Sequence, residues 1–182
     1  VNLGRLGFLA EIDVDELPET LSRIDGHDFT VESRMAITTL LPDGSEVTAF
    51  NDIALARVPG EGMAGVAITV QGAPFVRYAA DAVIVATSTG STAYSFAAGG
   101  PIVSPTVEGF LVVPSSAHSS FNRALVLSAD EEVVLDLLPT SGRLALEVDG
   151  IIAGQLVPGD QICVSARRAA ANVVRLGRTT FY

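Results

Sequence analysis

Short β-prone runs separated by turn residues recur about every ten positions from residue 29 to residue 176. That recurrence limits the chain to a mostly β domain built from antiparallel neighbours. Runs 29–41 and 46–50 flank Pro42-Asp43-Gly44-Ser45, a set of residues suited to a tight turn. Runs 66–70 and 74–78 flank Gln71-Gly72-Ala73, and run 144–148 enters Asp149-Gly150, a strong hairpin dipeptide. Runs 109–113, 126–138, 154–158, 160–166 and 172–176 complete the series. The expected fold is mostly β (all-β or α+β), an antiparallel, sandwich-like domain with few short helices. One helix is expected over 13–24, with acidic residues leading, Pro18 in its first turn, Leu17, Leu21 and Ile24 on one face, and Asp25-Gly26 ending it. The glycine-rich stretch 58–65 lacks the strand–loop–helix setting of a phosphate cradle and reads as a hairpin tip. Residues 2–10 form an apolar turn or strand in which Gly4 and Gly7 permit close backbone approach.

With 182 residues the chain can bury a substantial core. Its formal charge of −10 argues against a nucleic-acid or anionic-membrane surface, which needs a basic patch. No apolar run approaches the ~20 residues that cross a bilayer, and Val1-Asn2-Leu3-Gly4-Arg5 does not read as a signal peptide. All eleven basic residues are arginine, which excludes a P-loop or Schiff-base lysine within this chain. A single cysteine, Cys163, permits no internal disulfide, fits a reducing cytoplasm and, in an alternating apolar run, reads as a small core residue. His27 and His118 share no ligand-like spacing with Cys163, so no metal site is expected. The chain lacks an initiator methionine and opens inside what reads as structure, so a longer gene product extending upstream is expected.

The chemistry concentrates in 81–105. The apolar run 82–86 has the length and β-branched content of a buried strand. Thr87-Ser88-Thr89-Gly90-Ser91-Thr92 follows, with five hydroxyls and one glycine, and then a helix-compatible stretch, 93–98, stopped by Gly99-Gly100-Pro101. Strand, hydroxyl-rich loop and helix start bring free N–H groups and hydroxyls to one point, which suits an oxygen-rich or phosphorylated ligand. Ser and Thr are also ordinary helix N-caps, and that simpler reading stays open on composition alone.

Thr87 to Ser95, continued by Ala98-Gly99-Gly100-Pro101-Ile102, resembles the T-P-T-G-S-T-A-Y-S and G-G-P signature of NAD kinases, with Ser88 in place of the usual proline. The resemblance covers essentially the whole chain as the C-terminal domain of that family, within the superfamily shared with diacylglycerol-type lipid kinases. Residues 2–9 resemble the N-x-G-x-L-G-F-L domain junction, Arg34 the arginine of a short S-R element, and Asp149-Gly150 a hairpin turn of the family. Asn51-Asp52 lies where the family has Asn-Glu reaching a dinucleotide ribose. Aspartate is one methylene shorter, but it too accepts paired hydroxyls.

The resemblance implies a dinucleotide site formed by Asn51, Asp52, Asp81, Thr89, Gly90, Ser91, Thr92, Ala93, Tyr94 and Ser95. No catalytic residue is expected here, because the family's Gly-Gly-Asp-Gly motif belongs to an N-terminal domain that this chain does not contain. Pro114, His118 and Arg123 resemble a P-x-x-x-H-x-x-x-x-R arrangement, with His118 read as a structural loop residue. The implied activity is phosphorylation of the adenosine 2′-hydroxyl of NAD to NADP with ATP or polyphosphate and Mg²⁺, by a cytoplasmic homodimer or homotetramer. The fragment alone is expected to be inactive. A non-catalytic dinucleotide-binding protein and a lipid kinase are the alternatives.

Overall fold

The computed structural model describes residues 12–177, so residues 2–10 of the expected junction segment lie outside the described residues. The described residues divide into two compact units, 12–34 with 169–177, and 35–168.

In the first unit, a 3-10 turn over Val14–Glu16 leads into α1, Leu17–Asp25, with Pro18 in its first turn and Gly26 following its last residue. The Asp13 amide donates to the Glu16 carboxylate at 3.0 Å, which satisfies an N–H left free at the helix start. Leu17, Leu21 and Ile24 fall on one face as expected, yet they stay exposed, and the buried side chain of the helix is Thr20. Arg34 is buried in this unit with Nη2 2.5 Å from a Glu32 carboxylate oxygen.

Two six-stranded, mostly antiparallel sheets carry the rest of the fold. The strands are β1 Thr30–Leu40, β2 Glu46–Ala49, β3 Asp52–Arg57, β4 Ala64–Val70, β5 Ala73–Ala80, β6 Ala82–Thr87, β7 Gly109–Ser115, β8 Leu125–Ser128, β9 Glu132–Leu137, β10 Leu144–Val148, β11 Ile151–Leu156 and β12 Gln161–Arg175. One sheet runs β2-β1-β12-β9-β4-β5 and the other β11-β10-β3-β6-β7-β8. The hairpins β1–β2, β4–β5 and β10–β11 close at the turns that the sequence marks. The inner faces of both sheets meet in one core, with Ile37, Val66, Ile68 and Leu135 on one side and Ile53, Leu55, Val85 and Phe110 on the other. Each such side chain removed from water contributes about 1.5–3 kcal/mol.

The outer face of the second sheet is apolar as well. Ala54, Ala82, Ile84, Ala86, Leu111 and Val113 form a second buried cluster, packed by Ala98, Val103 and Ala124. Strand β6 is therefore buried on both faces, which is why it reads as an uninterrupted apolar run rather than an alternation. Its outer side carries mostly small residues, leaving a low platform for the segment that follows.

The structure departs from the expectations at four places. Stretch 58–65 is not a hairpin tip: β3 and β4 lie in different sheets, and the stretch carries the chain from one to the other. It is fastened at Gly142, where a Cβ would stand 2.0 Å from the Glu61 carbonyl oxygen, and by the Arg143–Glu61 ion pair. Runs 160–166 and 172–176 are one strand, β12, with Ala169 at φ 50° inside it. Cys163 is exposed, because the alternation puts Ile162 and Val164 inward and Cys163 on the opposite face. The return strand of the last hairpin also begins at Ile151 rather than 154.

Candidate functional site

Strand β6 ends at Thr87, and the signature loop turns there into a 3-10 helix over Thr89–Thr92 and then α2, Tyr94–Ala97. Several hydroxyls hold this turn in place. Thr87 Oγ1 donates to the Phe50 carbonyl at 2.6 Å and accepts from the Gly90 amide at 2.9 Å. The Thr87 amide donates to the Asn51 carbonyl at 2.9 Å. Ser91 Oγ donates to the Ser88 carbonyl at 2.7 Å and accepts from the Val103 amide at 2.9 Å. Thr92 Oγ1 reaches the Thr89 carbonyl at 3.4 Å. The buried hydroxyls of Ser88, Thr89 and Ser95 have no hydrogen-bond partner among the described residues.

Gly90 lies against the backbone of Asn51. A Cβ there would stand 2.0 Å from the Asn51 carbonyl oxygen and 2.6 Å from its Cα, so a glycine is required by contact. Gly100 is similarly close to Ser95, whose carbonyl accepts its amide at 2.9 Å.

Facing this loop is the Asn51-Asp52 pair at the start of β3. The Asp149 carboxylate accepts the backbone N–H groups of Phe50, Asn51 and Asp52 at 2.9, 2.7 and 3.0 Å. The Asp149 amide donates back to the Asp52 carbonyl at 2.9 Å. Asp149 at φ 48° and Gly150 at φ 79° are the two left-handed residues of the β10–β11 turn, the conformation expected of a D-G pair.

Asp52 is 3% exposed and stands opposite Ala86 on the outer face of its sheet. Burial pushes its carboxyl up to about 6, the charges of Asp149 and Glu147 push the same way, and a hydrogen bond from the Tyr94 backbone opposes them. Glu147 pairs across β10–β3 with Ala54, which puts it on the same outer face. The Tyr94 phenol is raised above the usual tyrosine range by burial first, then by Glu147, Asp52 and Asp81. The strand register and the bond from the Tyr94 backbone to Asp52 place Asp52, Glu147 and Tyr94 around one patch of the alanine-rich platform.

Asn51, Asp52, Gly90 and Tyr94 are thus brought together. Ala93 caps the 3-10 helix and is exposed, while Ser91 and Ser95 are buried behind it. Asp81 stands at the other end of β6, ion-paired with Arg57 at 2.6 Å. The His118 amide donates to the Ala79 carbonyl at 2.8 Å, and the Arg123 carbonyl accepts from the Tyr78 hydroxyl at 3.3 Å. Among the described residues, no three His, Cys, Asp or Glu side chains are grouped to hold a metal ion. Glu147 and the carboxylate of Asp149 carry no local sequence signal of this role, since they act on residues about a hundred positions away.

An ionised carboxylate, a side-chain amide and a half-exposed phenol over an apolar floor can accept sugar hydroxyls and cover a planar ring. Among solved structures, the fold matches kinases of nicotinamide dinucleotides. With yeast NADH kinase complexed with NADH the TM-score is 0.83 at 31% identity, covering 94% of this chain and 51% of that one. With an NAD kinase from Archaeoglobus fulgidus in complex with ATP it is 0.79 at 26% identity, covering 100% and 69%. Residues 50–176 match the family described as ATP-NAD kinase C-terminal domain, and the chain belongs to that family. NAD kinase 1 of Streptomyces avermitilis and the NAD kinase of Desulforamulus reducens are each 38% identical to it, over all of this chain and over 61% and 65% of their own lengths. The chain thus spans under two thirds of the length of these relatives.

Proposed function

We propose that this chain is the dinucleotide-binding domain of a longer NAD kinase, which phosphorylates the adenosine 2′-hydroxyl of NAD to give NADP. The observation that carries the reading is the convergence of Asn51, Asp52 and Tyr94 beside the signature loop, in a chain of the ATP-NAD kinase family. Asp52, when ionised, accepts ribose hydroxyls, the Asn51 amide offers both a donor and an acceptor, and Tyr94 covers a ring. Within Thr89 to Ser95, the exposed Ala93 and Tyr94 face the ligand, while Ser91 and Thr92 hold the loop in shape through hydrogen bonds of their own. The residue that orients the attacking hydroxyl is assigned to an upstream Gly-Gly-Asp-Gly segment of the longer protein. ATP is the donor favoured by the description of the family and by the Archaeoglobus fulgidus NAD kinase in complex with ATP, with polyphosphate second. Mg²⁺ is assigned to ATP as part of the substrate, since the described residues here provide no grouped ligand set for a metal of their own. A homodimer or homotetramer in the cytoplasm completes the proposal. Among the described residues, no helix is long and apolar enough to cross a membrane.

Replacing Tyr94 by alanine in the intact polypeptide is expected to raise KM for NAD roughly tenfold with little change in folding, because a half-exposed ring contributes more to ligand cover than to the core. Steady-state kinetics with NAD as the varied substrate measures this. An unchanged KM would remove Tyr94 from the site.

A further inference from the structure

The D-G turn between β10 and β11 has an obvious local reason to be Asp149-Gly150: both positions have positive φ, and Asp and Gly tolerate it. Local reasons do not account for where the side chain goes. The Asp149 carboxylate leaves its own turn and accepts three consecutive amides, those of Phe50, Asn51 and Asp52. In return its amide donates to the Asp52 carbonyl. On the other side, the carbonyls of Phe50 and Asn51 accept from Thr87. The three-residue segment is therefore held from two directions, its N–H groups and the Asp52 carbonyl by Asp149, and the carbonyls of Phe50 and Asn51 by the signature loop.

We infer that Asp149 is a positioning residue for dinucleotide binding: its carboxylate fixes the backbone of Phe50-Asn51-Asp52 and so sets where the Asn51 and Asp52 side chains meet the ligand. This rests on the dinucleotide reading above. A carboxylate suits the task because it offers two acceptor oxygens and no donor to three converging N–H groups. Asparagine would keep the left-handed turn but would put an NH₂ group against one of those donors. Glycine would keep the turn and remove the acceptors altogether. A role confined to the turn leaves both substitutions silent, whereas a positioning role makes both costly.

Two readouts separate these cases. Amide hydrogen exchange at Phe50, Asn51 and Asp52 is expected to quicken in D149N and D149G, with no ligand present. In the intact polypeptide, KM for NAD is expected to rise roughly ten- to a hundredfold, with a smaller change in kcat, as misplacement of a binding group by about an ångström costs. The pH profile adds a signature that simple loosening does not produce. Asp52 is faced by Glu147 from β10, by Asp149 from the β10–β11 turn and by the Tyr94 amide and phenol from α2, so neutralising position 149 removes a like charge. The midpoint of the acid limb of kcat/KM for NAD is then expected to move to lower pH in D149N.

Unchanged exchange at 50–52 together with wild-type KM in both variants would overturn the inference. A wild-type polypeptide that binds no NAD would overturn the dinucleotide reading instead, while the exchange comparison would still report on the clamp.

Discussion

Gly90→Ala is expected to be among the most damaging single substitutions in the domain, costing about 3 kcal/mol or more of stability and abolishing measurable NAD binding. The reason is contact. A methyl at this position would meet the Asn51 carbonyl oxygen at 2.0 Å and its carbonyl carbon at 2.4 Å, both backbone atoms. Neither can rotate aside, because the Asn51 carbonyl already accepts the Thr87 amide and the Asn51 amide is held by Asp149. Relief requires β3 and the loop after β6 to move apart, which breaks the Thr87 bonds to Phe50 and Asn51 and separates Asn51 and Asp52 from Tyr94. Overpacking against backbone lies at the upper end of the cost of core insertions. Thermal denaturation measures it directly, and an alanine variant with the wild-type Tm would contradict the close packing described for this site.

Asp52→Asn is expected to move stability and function in opposite directions. The Asp52 carboxyl titrates near 6 in the folded domain and near 4 in an unfolded chain. Between those values the folded state binds the proton more tightly, so stability from this group falls as pH rises from about 4 to about 6, and above that the full penalty of about 3 kcal/mol is present. Asparagine carries no such charge. The variant is therefore expected to match the wild type near pH 4 and to exceed its stability by about 3 kcal/mol at pH 7, the bond from the Tyr94 amide being already contained in the Asp52 shift. Affinity for NAD should fall by roughly tenfold to a hundredfold, the cost of losing charge-assisted hydrogen bonds to sugar hydroxyls. Denaturant unfolding at the two pH values, with NAD titration beside it, checks both halves. A variant less stable than the wild type at pH 7 would mean that Asp52 is a structural carboxylate rather than a strained binding group.

What the sequence makes legible depends on how local the cause is. Hairpins β1–β2, β4–β5 and β10–β11 are closed by their own turn residues, and strand β6 is marked by an apolar run that only burial on two faces explains. The helix start after Thr92 is equally local. Stretch 58–65 is misread because glycine and proline announce a reversal without saying which sheet receives the next strand. Cys163 is misplaced because an apolar alternation reveals its period but not its phase when both neighbours and the residue itself are apolar. The site divides in the same way. Asn51, Asp52, Gly90 and Tyr94 are readable through the signature they surround. The contact between Gly90 and Asn51 and the reach of Asp149 to Phe50 join segments separated by about 40 and about 100 residues, and nothing within either segment announces the other. The hydroxyls show the limit of motif reading most clearly. Thr87, Ser91 and Thr92 look like ligand donors in the sequence, but in the fold they hold the loop together and tie it to Phe50 and Val103.

If this domain holds NAD for phosphorylation within a longer polypeptide, as proposed, the intact polypeptide makes NADP from NAD and ATP with Mg²⁺, and its Asn51 side chain takes part in binding. NADP formation is measured for the wild type and for an Asn51→Ala variant shown to be folded. The wild type is expected to form NADP, and kcat/KM for NAD is expected to fall roughly tenfold or more in the variant. No NADP from any phosphoryl donor, or a variant as efficient as the wild type, would contradict the proposal.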